Sequence, residues 1–333
     1  MVKNRTMYKF IILITVLFFF SCNQSKKSDY SKNNTKEVTV EKATTPSGKK
    51  LLETKCFVCH NSSTPNNERV APPMIAIKAH YIGENTSEEE FTNNFLNFVL
   101  NPTKEKAVMR GAVKRFGVMP YQKFEEEDLK KIANYLYNYK IEEPSWFKEH
   151  WESKQRKSYI NSGKKISQKN TKKTPEEIGL TYAMETKKTL GKNLMGAIQK
   201  KGTLHALQFC NEKAYKLTDS MATKFNASIK RVSDKPRNLN NTANTEELNI
   251  IKGYKRIVSN KEEIKPVTKQ VGNKTKFYYP IITNSMCLQC HGTPNTQIKP
   301  ETLKELTLLY PTDKAQGYDV NQVRGIWSIT FKN

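Results

Sequence analysis

Arginine is scarce in this chain of 333 residues, although the chain is strongly basic, with a formal net charge of +24. Proteins that read nucleic-acid sequence depend on arginine for bidentate contacts to base edges, and no nucleic-acid recognition motif is present. The composition therefore argues against nucleic-acid binding. The excess of lysine instead favours acidic partners or anionic surfaces, unless it only reflects a compositional habit of the source genome.

The N-terminal hydrophobic run is too short to cross a membrane as a helix. It covers residues 10–20, whereas a spanning helix needs about 20 apolar residues. Three basic residues precede the run, so residues 1–21 are predicted to be a signal peptide. Export of the protein follows from this prediction.

The end of the signal peptide carries a further motif, Ser21-Cys22. This pair resembles the lipobox of bacterial lipoproteins, although Phe19 stands where the usual motif has leucine. The resemblance implies that Cys22 is diacylated and anchors the protein to a membrane of the cell envelope, facing the periplasm. Ordinary secretion with an unmodified Cys22 is the alternative.

Cysteine is too sparse for the disulfide framework that an exported protein would otherwise suggest. Of the 6 cysteines, four fall in two Cys-x-x-Cys pairs, Cys22 is assigned to lipid, and Cys210 is left without a partner. The count therefore leaves no pair for a disulfide outside these motifs.

Composition divides the chain into segments. Residues 22–45 are polar and predict a flexible tether, and residues 46–140 form a first compact domain. Residues 141–174 are rich in lysine and predict a basic linker, whose aromatic residues could pack on the first domain. The second domain, residues 175–333, opens with a strong helix start at Thr174-Pro175-Glu176-Glu177.

Cys56-Phe57-Val58-Cys59-His60 has the spacing of a c-type haem attachment sequence. In such a sequence the two thiols add to the vinyl groups of haem, and the histidine binds the iron through its imidazole. The plain alternative is a redox-active Cys-x-x-Cys pair, but chance is a poor rival for two such motifs in one chain. We therefore predict a covalent haem at Cys56 and Cys59, with His60 as an axial iron ligand.

The flanking sequence resembles a class I cytochrome c over residues 46–140. A short helix is predicted over residues 48–55, and Val70-Ala71-Pro72-Pro73-Met74 is similar to the proline loop of that family. A final helix carries an apolar stripe of Leu129, Ile132, Ala133, Leu136 and Tyr139. The resemblance implies an all-α fold in which the final helix crosses the first. It also implies a proline carbonyl that accepts a hydrogen bond from the proximal histidine.

Met119, within Phe116-Gly117-Val118-Met119-Pro120, stands where that family presents its sixth iron ligand. Pro120 disfavours helical geometry at the preceding residue, which keeps Met119 on a loop. Three other residues are open alternatives for this position: Met74, Met109 and His80.

A second attachment sequence, Cys287-Leu288-Gln289-Cys290-His291, predicts a second covalent haem at Cys287 and Cys290, with His291 as an axial ligand. The 42 residues after His291 contain no methionine, histidine or cysteine. A sixth ligand from the protein must therefore come from upstream. The candidates are Met184, Met195, His205, Cys210, Met221 and Met286.

Cys210 lies on the apolar face of a predicted helix, which also carries Leu207, Ala214, Leu217 and Met221. The pattern points the thiol inward, either as an iron ligand or as a small residue that only packs. Strands are predicted over residues 277–282 and 326–331.

Five segments of the second domain follow one another in a fixed order, around Cys210, Arg231, Arg237, the second motif and Arg324. Together they resemble a family of single-haem c-type domains. That family, long described as a domain of unknown function, has a PAS/GAF-like α+β fold and is regarded as a sensor. The resemblance covers residues 175–331 and implies that Cys210 is the sixth ligand opposite His291. The three arginines could pair with haem propionates or simply face solvent.

These patterns predict a multidomain protein, an all-α class I cytochrome c joined to an α+β PAS-like haem domain, with two c-type haems and their iron as cofactors. The leading function is one-electron transfer in the cell envelope between redox partner proteins, which the net charge predicts to be acidic. One alternative is a redox or small-ligand sensor of CO or NO. Another is a two-haem peroxidase, for which the pattern places none of His80, His150 and His205 well. An electron-transfer protein is favoured over an enzyme.

Overall fold

The computed structural model describes residues 46–155, 158–166 and 173–332. The predicted signal peptide, the lipidation site Cys22 and the tether lie outside these residues, as does part of the predicted basic linker. Within the described ranges, no helix combines the length and the apolar content needed to cross a membrane.

The described chain up to residue 155 is built from helices around one hydrophobic core. The first helix, α1 (Ser47–Lys55), crosses α6 (Glu126–Asn138) at Gly48, where an added Cβ atom would lie 2.0 Å from the Lys131 carbonyl oxygen. The predicted final helix is present but ends at Asn138, so that Tyr139 lies just beyond it. The α-helices are α1 (Ser47–Lys55), α2 (Phe57–His60), α3 (Met74–Tyr81), α4 (Glu88–Val99), α5 (Arg110–Phe116), α6 (Glu126–Asn138) and α7 (Phe147–Gln155).

Helix α7 lies inside the segment predicted as a basic linker. Its Phe147 and Trp151 side chains are 2% and 3% exposed and belong to the same core as α1 and α6. Lys78 of α3 is fully buried, and its Nζ atom donates to the carbonyl oxygens of Tyr139 and Ser162 at 2.7 and 3.1 Å. Part of this segment therefore packs on the first helices.

The C-terminal part contains an antiparallel sheet with helices on both faces. Its strands are β1 (Ala227–Val232), β2 (Val267–Val271), β3 (Lys274–Ile282) and β4 (Val323–Lys332), and they lie side by side in the order β1-β4-β3-β2. Its helices are α8 (Pro175–Phe225), α9 (Thr245–Ser259), α10 (Leu288–His291) and α11 (Pro300–Leu309). The two predicted strands are present within β3 and β4, and the α+β prediction for residues 175–333 is confirmed.

The two faces of the sheet form separate cores. Ile229, Phe277 and Ile329 are buried on the face that packs against α8. On the opposite face, Val232 and Tyr278 are buried against residues of α9. Alternation of side chains along each strand places neighbouring residues on opposite faces, which is why β1 contributes to both cores.

Helix α8 begins where the sequence predicts, with a capping box. The Thr174 hydroxyl accepts from the Glu177 backbone N–H, and the Glu177 carboxylate accepts from the Thr174 N–H. The helix is interrupted at Gly202, whose φ of 80° lies in the region that glycine adopts without steric cost. The described residues belong to one compact unit, and α8 contacts both of its parts.

Candidate functional site

A cavity of about 1690 Å³ lies between the two Cys-x-x-Cys-His motifs. Helices α2 and α10, which carry the motifs, and the middle of α8 contribute to its wall. Six motif residues line it: Cys56, Cys59, His60, Cys287, Cys290 and His291. The fold thus brings two motifs that are distant in sequence to one internal space.

The first motif places its histidine on α2, half-buried at the cavity wall. The His60 Nδ1 atom donates to the Pro72 carbonyl oxygen at 2.8 Å. A carbonyl oxygen can only accept, so the ring proton is on Nδ1 and the Nε2 lone pair is free. Burial lowers the pKa of His60 to about 4, which leaves the imidazole neutral at pH 7. This is the carbonyl contact that the cytochrome c resemblance implies.

Buried polar side chains hold the loop between Asn61 and Pro72. Asn61 Oδ1 accepts from the Thr64 backbone N–H at 2.9 Å. Arg69 is 7% exposed, and its guanidinium donates to the carbonyl oxygens of Asn61, Thr64 and Ala71. Because these bonds fix the loop, they also fix the Pro72 carbonyl and with it the orientation of the His60 ring.

Met119 lies on the loop after α5, packs against the first core and lines the cavity. Met74 and Met109 line the same cavity, so both stay alternatives to Met119 as an iron ligand. His80 is not among the lining residues, and its ring packs edge-on against Trp151 with 4.8 Å between the ring centroids. Of the three alternatives, Met74 and Met109 share the cavity wall with Met119, and Met119 as the sixth ligand stays a prediction.

The second motif presents its histidine in a similar way. The His291 Nδ1 atom donates to the Ala315 carbonyl oxygen at 2.8 Å, so that Nε2 is again free. Burial and then the charges of Arg237 and Arg324 lower the pKa of His291 well below its usual value. The Arg324 Nε atom lies 3.4 Å from the same Nδ1 atom. Because Nδ1 carries the proton that it donates to the Ala315 carbonyl, it does not accept a hydrogen bond from Arg324. The guanidinium therefore affects the His291 ring through its positive charge.

Cys210 lines the cavity from the C-terminal half of α8 and is half-buried. Burial raises the pKa of its thiol, while the charges of Arg231 and Arg237 act in the opposite direction. Of its upstream rivals, Met195 and Met286 also line the cavity. Met184, His205 and Met221 are absent from the lining. Cys210 as the sixth ligand stays a prediction with two methionine alternatives.

The three arginines of the second site have different partners. Arg237 forms an ion pair with Asp313 at 3.1 Å and donates to the Cys290 carbonyl oxygen. The Arg324 guanidinium donates to the Ser233 hydroxyl at 2.8 Å and to a backbone carbonyl. The Arg231 backbone pairs with β4, while its side chain lines the cavity and forms no hydrogen bond or ion pair with any residue in the described ranges.

Lys187 of α8 lies between the two motifs. Its Nζ atom donates to the Thr54 carbonyl oxygen at 2.9 Å. Burial lowers its pKa, and the thiols of Cys56 and Cys59 from the first motif and of Cys287 from the second are close enough to oppose that shift. This half-buried lysine is therefore within electrostatic range of the cysteines of both motifs.

Further hydrogen bonds join the surroundings of the two motifs. The Gln199 amide of α8 donates to the Val70 carbonyl oxygen at 3.2 Å, next to the proline loop. The Lys123 backbone N–H, just after the Met119 loop, donates to the Ser285 hydroxyl at 3.3 Å, just before the second motif. These contacts hold the walls of the cavity together.

Sequence reasoning missed several residues of this site. Ala315 acts through its backbone carbonyl, which no side-chain pattern reveals. Lys187 belongs to a lysine-rich helix and carries no distinguishing neighbour in the sequence. Arg69 carried a weak signal, because arginine is scarce in this lysine-rich chain. Unlike a lysine, its planar guanidinium can donate to several carbonyl oxygens at once, which suggests a buried structural role.

Comparison with known proteins places the C-terminal part in a family. The model of the Tll0287-like family matches residues 148–332, which include Cys210 and the second motif. A crystal structure of the cyanobacterial haem protein Tll0287 is similar at 19% identity, with a TM-score of 0.38. That similarity covers 48% of this chain and 98% of the other chain. No curated protein matches the chain.

Proposed function

The chain belongs to the Tll0287-like family, and we propose that it is a two-haem c-type cytochrome that carries single electrons in the bacterial cell envelope. The family match covers residues 148–332 and therefore one of the two attachment motifs. The protein that gives the family its name is a haem protein. The first motif lies outside the match, and the resemblance of residues 46–140 to a class I cytochrome c supports a second haem there.

The residues that line the cavity fit this cofactor. Each motif offers two thiols for thioether bonds and one neutral imidazole for the iron. Ligand pockets commonly measure about 300–1,000 Å³, so a cavity of about 1690 Å³ has room for more than one group. When bound, a c-type haem supplies an iron centre that gains or loses one electron.

The observation that carries the proposal is the shared orientation of the two histidines. In each site a backbone carbonyl accepts from Nδ1, at Pro72 for His60 and at Ala315 for His291, both at 2.8 Å. Such a bond fixes the tautomer and the ring orientation, which is how proteins prepare a histidine to bind a metal through Nε2. Both rings line one cavity.

Met119 and Cys210 are the sixth ligands that we propose for the first and second iron. Both line the cavity that the two histidines line. A thioether favours the reduced iron, whereas an anionic thiolate favours the oxidised iron. The two sites are therefore proposed to work at different potentials.

A second candidate function, a redox or CO/NO sensor, is favoured by the construction of α8. This helix contacts α2, which carries the first motif, and its Lys187 donates to Thr54 just before that motif. Its C-terminal half carries Cys210 beyond the break at Gly202. Release of Cys210 from an iron could therefore alter contacts at the first motif. Binding of CO to the reduced protein, followed in the absorption spectrum, tests this. No change with CO would remove the sensor proposal and leave the carrier.

Location and partners belong to the same proposal. The lipobox resemblance at Cys22 supports a lipid-anchored protein of the cell envelope, and the net charge of +24 supports acidic redox partners. Cys22→Ala is expected to move the protein from the membrane fraction to the soluble fraction of a bacterial host. Equal fractionation of both forms would contradict lipid anchoring.

The haem content of the mature protein tests the central proposal. The protein should be expressed in a host with working cytochrome c maturation and then denatured and extracted with acidified solvent. We expect two haems to remain covalently attached to each chain, visible as an added mass and in the absorption of the denatured protein. One haem or none would overturn the two-haem proposal.

A further inference from the structure

Lys187 differs from two other lysines of α8 that lie near the first part of the molecule. The Lys188 ammonium pairs with the Glu185 carboxylate at 2.6 Å, and the Lys192 ammonium pairs with the Glu68 carboxylate. Lys187 donates instead to an uncharged backbone carbonyl. Among the described residues, no carboxylate is close enough to shift its pKa. The positive charge of Lys187 is therefore not balanced by a neighbouring acid.

Helix α8 approaches the first motif closely beside Lys187. One turn further along the helix, a Cβ atom added at Gly191 would lie 2.4 Å from the Cγ1 atom of Val58. Val58 stands between Cys56 and Cys59, the two cysteines of that motif. The Lys187 side chain lines the cavity together with the cysteines of both motifs. The fold thus places an unbalanced cation in the wall that the two motifs share.

The charge of Lys187 acts on both motifs. Burial raises the pKa values of the Cys56, Cys59 and Cys287 thiols, and the charge of Lys187 opposes this rise at each of them. A sulfur atom that is bonded to a haem no longer ionises, so the same charge then acts on the attached group. A cation close to a haem favours the reduced iron, because it attracts the added electron.

We propose that the Lys187 ammonium is a cation shared by the two haem sites and that it raises the reduction potential of both. The inference rests on the proposed function, because it assumes a haem at each motif. Other cations near the histidines act on one site each, as Arg69 does on His60 and Arg324 on His291. Lys187 would set a common level for the two potentials, whereas the axial ligands would set the difference between them.

The test is a redox titration of the holoprotein that resolves both haems, for wild type, Lys187→Gln and Lys187→Met. At about pH 6, far below the usual lysine pKa of 10.5, a lowered pKa still leaves Lys187 charged. Glutamine removes the charge but keeps an N–H donor for the Thr54 carbonyl, and methionine removes both. We expect both potentials to fall by a similar amount in the two variants. The reduction equilibrium of each haem should change by up to about tenfold, or about 59 mV for one electron.

Lys187→Arg and Lys188→Gln are the matched controls. Arginine keeps the charge and the donor, so both potentials should stay near those of wild type. Lys188→Gln removes a charge from the next position, which does not line the cavity and pairs with Glu185, and should leave both potentials unchanged. If Lys187→Met alone shifts the potentials, the side chain acts through its hydrogen bond and the proposal is wrong. A shift of one haem only would also overturn it, since the charge would then serve a single site.

A comparison of wild type with Lys187→Arg does not depend on the folding of the uncharged variants. As the pH rises from about 6 to about 10, Lys187 loses its proton, and both wild-type potentials should fall together. The other titratable groups that face Lys187 are Lys55 and the thiols of Cys56, Cys59 and Cys287, which both proteins share. Lys187→Arg stays charged throughout and should lack this common fall. An equal pH dependence of the two proteins would contradict the proposal. A missing haem would be seen in the haem content beforehand and would overturn the proposed function instead.

Discussion

The two proposed haem sites share a sequence motif but differ in how the fold surrounds it. The first site is assembled from one stretch of chain, since His60, the Pro72 carbonyl and Met119 all come from residues 56–120. The second draws on distant segments, with Cys210 before the motif and the Ala315 carbonyl after it. The comparison teaches that one short motif can stand in two different settings, because the motif itself is local whereas the groups around its histidine come from the rest of the fold.

The charges around the two histidines differ as well. Arg69 is the cation that acts on His60, whereas Arg231, Arg237 and Arg324 all act on His291. Positive charge near an iron favours its reduced state, and a thiolate ligand favours the oxidised state. With Cys210 as the proposed ligand, the second site would combine opposing influences on the potential, and experiments on the two sites in parallel show which one dominates.

The largest expected effect separates the two sites by removing them one at a time. The double variant Cys56→Ala/Cys59→Ala should lose one covalent haem and keep the other, and Cys287→Ala/Cys290→Ala should do the same in reverse. Haem per chain should fall from two to one in each variant, because each pair of thiols forms the covalent bonds of its own site. Extraction of the denatured protein and mass spectrometry measure this. Loss of both haems in either variant would mean that the sites are not independent.

Exchange of the sixth ligands sharpens the comparison further. Cys210→Ala should change the oxidised spectrum of the second haem only, and Met119→Ala that of the first. In the wild-type protein we expect the second haem to have a potential lower by more than about 100 mV, or about 2 kcal/mol per electron, since the thiolate contacts the iron directly. A redox titration that resolves both haems, with the two variants used for assignment, measures this difference.

Equal potentials, or a higher potential for the second haem, would refute this ordering. The positive charges of the three arginines would then outweigh the ligand, or Met195 or Met286 would bind the second iron instead. Met195→Leu and Met286→Leu distinguish these cases, because only the variant of a true ligand changes the oxidised spectrum. Both residues line the cavity, so both variants are meaningful tests.

Much of the fold was predictable because its signals are local. The helix start at Thr174 and the strands within β3 and β4 appear in the sequence as a capping pattern and as apolar runs. The packing of α7 on the first core was harder to predict, because two aromatic residues in a lysine-rich stretch give only a weak apolar pattern. Charge density predicted a linker, and the burial of Phe147 and Trp151 agrees with the alternative that its aromatic residues pack on the first domain.

The site was predictable only where a motif or a side-chain pattern carries it. The four cysteines and two histidines follow from spacing, and Cys210 from a helical stripe. The partners that orient the histidines are backbone carbonyls, and the sequence indicated Pro72 only through a family resemblance. The shared cavity and the position of Lys187 depend on how α8 packs against α2, which is a tertiary property without a local pattern.

A smaller effect tests whether the two parts of the molecule unfold together. Gly48→Ala would place a Cβ atom 2.0 Å from the Lys131 carbonyl oxygen at the crossing of α1 and α6. Gly179→Ala would place one 2.2 Å from the Phe277 ring, between α8 and the sheet. Each overpacked contact should lower the free energy of unfolding by about 1–3 kcal/mol. Urea unfolding, followed by tryptophan fluorescence and by circular dichroism, measures it.

Gly253→Ala on α9 is the control, because an added Cβ atom there meets nothing within 4 Å. It should be neutral or raise the stability by about 0.5–1 kcal/mol, the usual gain for alanine over glycine in a helix. If Gly48→Ala shifts only one of two transitions, the parts unfold separately. A common shift of a single transition in both overpacked variants would show one cooperative unit.

The smallest expected effect compares the buried cations of the two parts. Arg237 in the second part is paired with Asp313. Lys78 in the first is fully buried, and within the described ranges its ammonium group donates to the carbonyl oxygens of Tyr139 and Ser162. Burial lowers the pKa of Lys78 from 10.5 to about 8. Between these two values the unfolded chain binds more protons than the folded chain, so the contribution of Lys78 to stability rises with pH. Lys78→Met removes this titration. The wild-type protein should therefore gain stability relative to the variant as the pH rises. Its free energy of unfolding minus that of the variant should increase by on the order of 1–2 kcal/mol from pH 7.5 to pH 10. Urea unfolding at several pH values measures this difference, and a constant difference across the range would show that solvent reaches the Lys78 ammonium group in the folded protein.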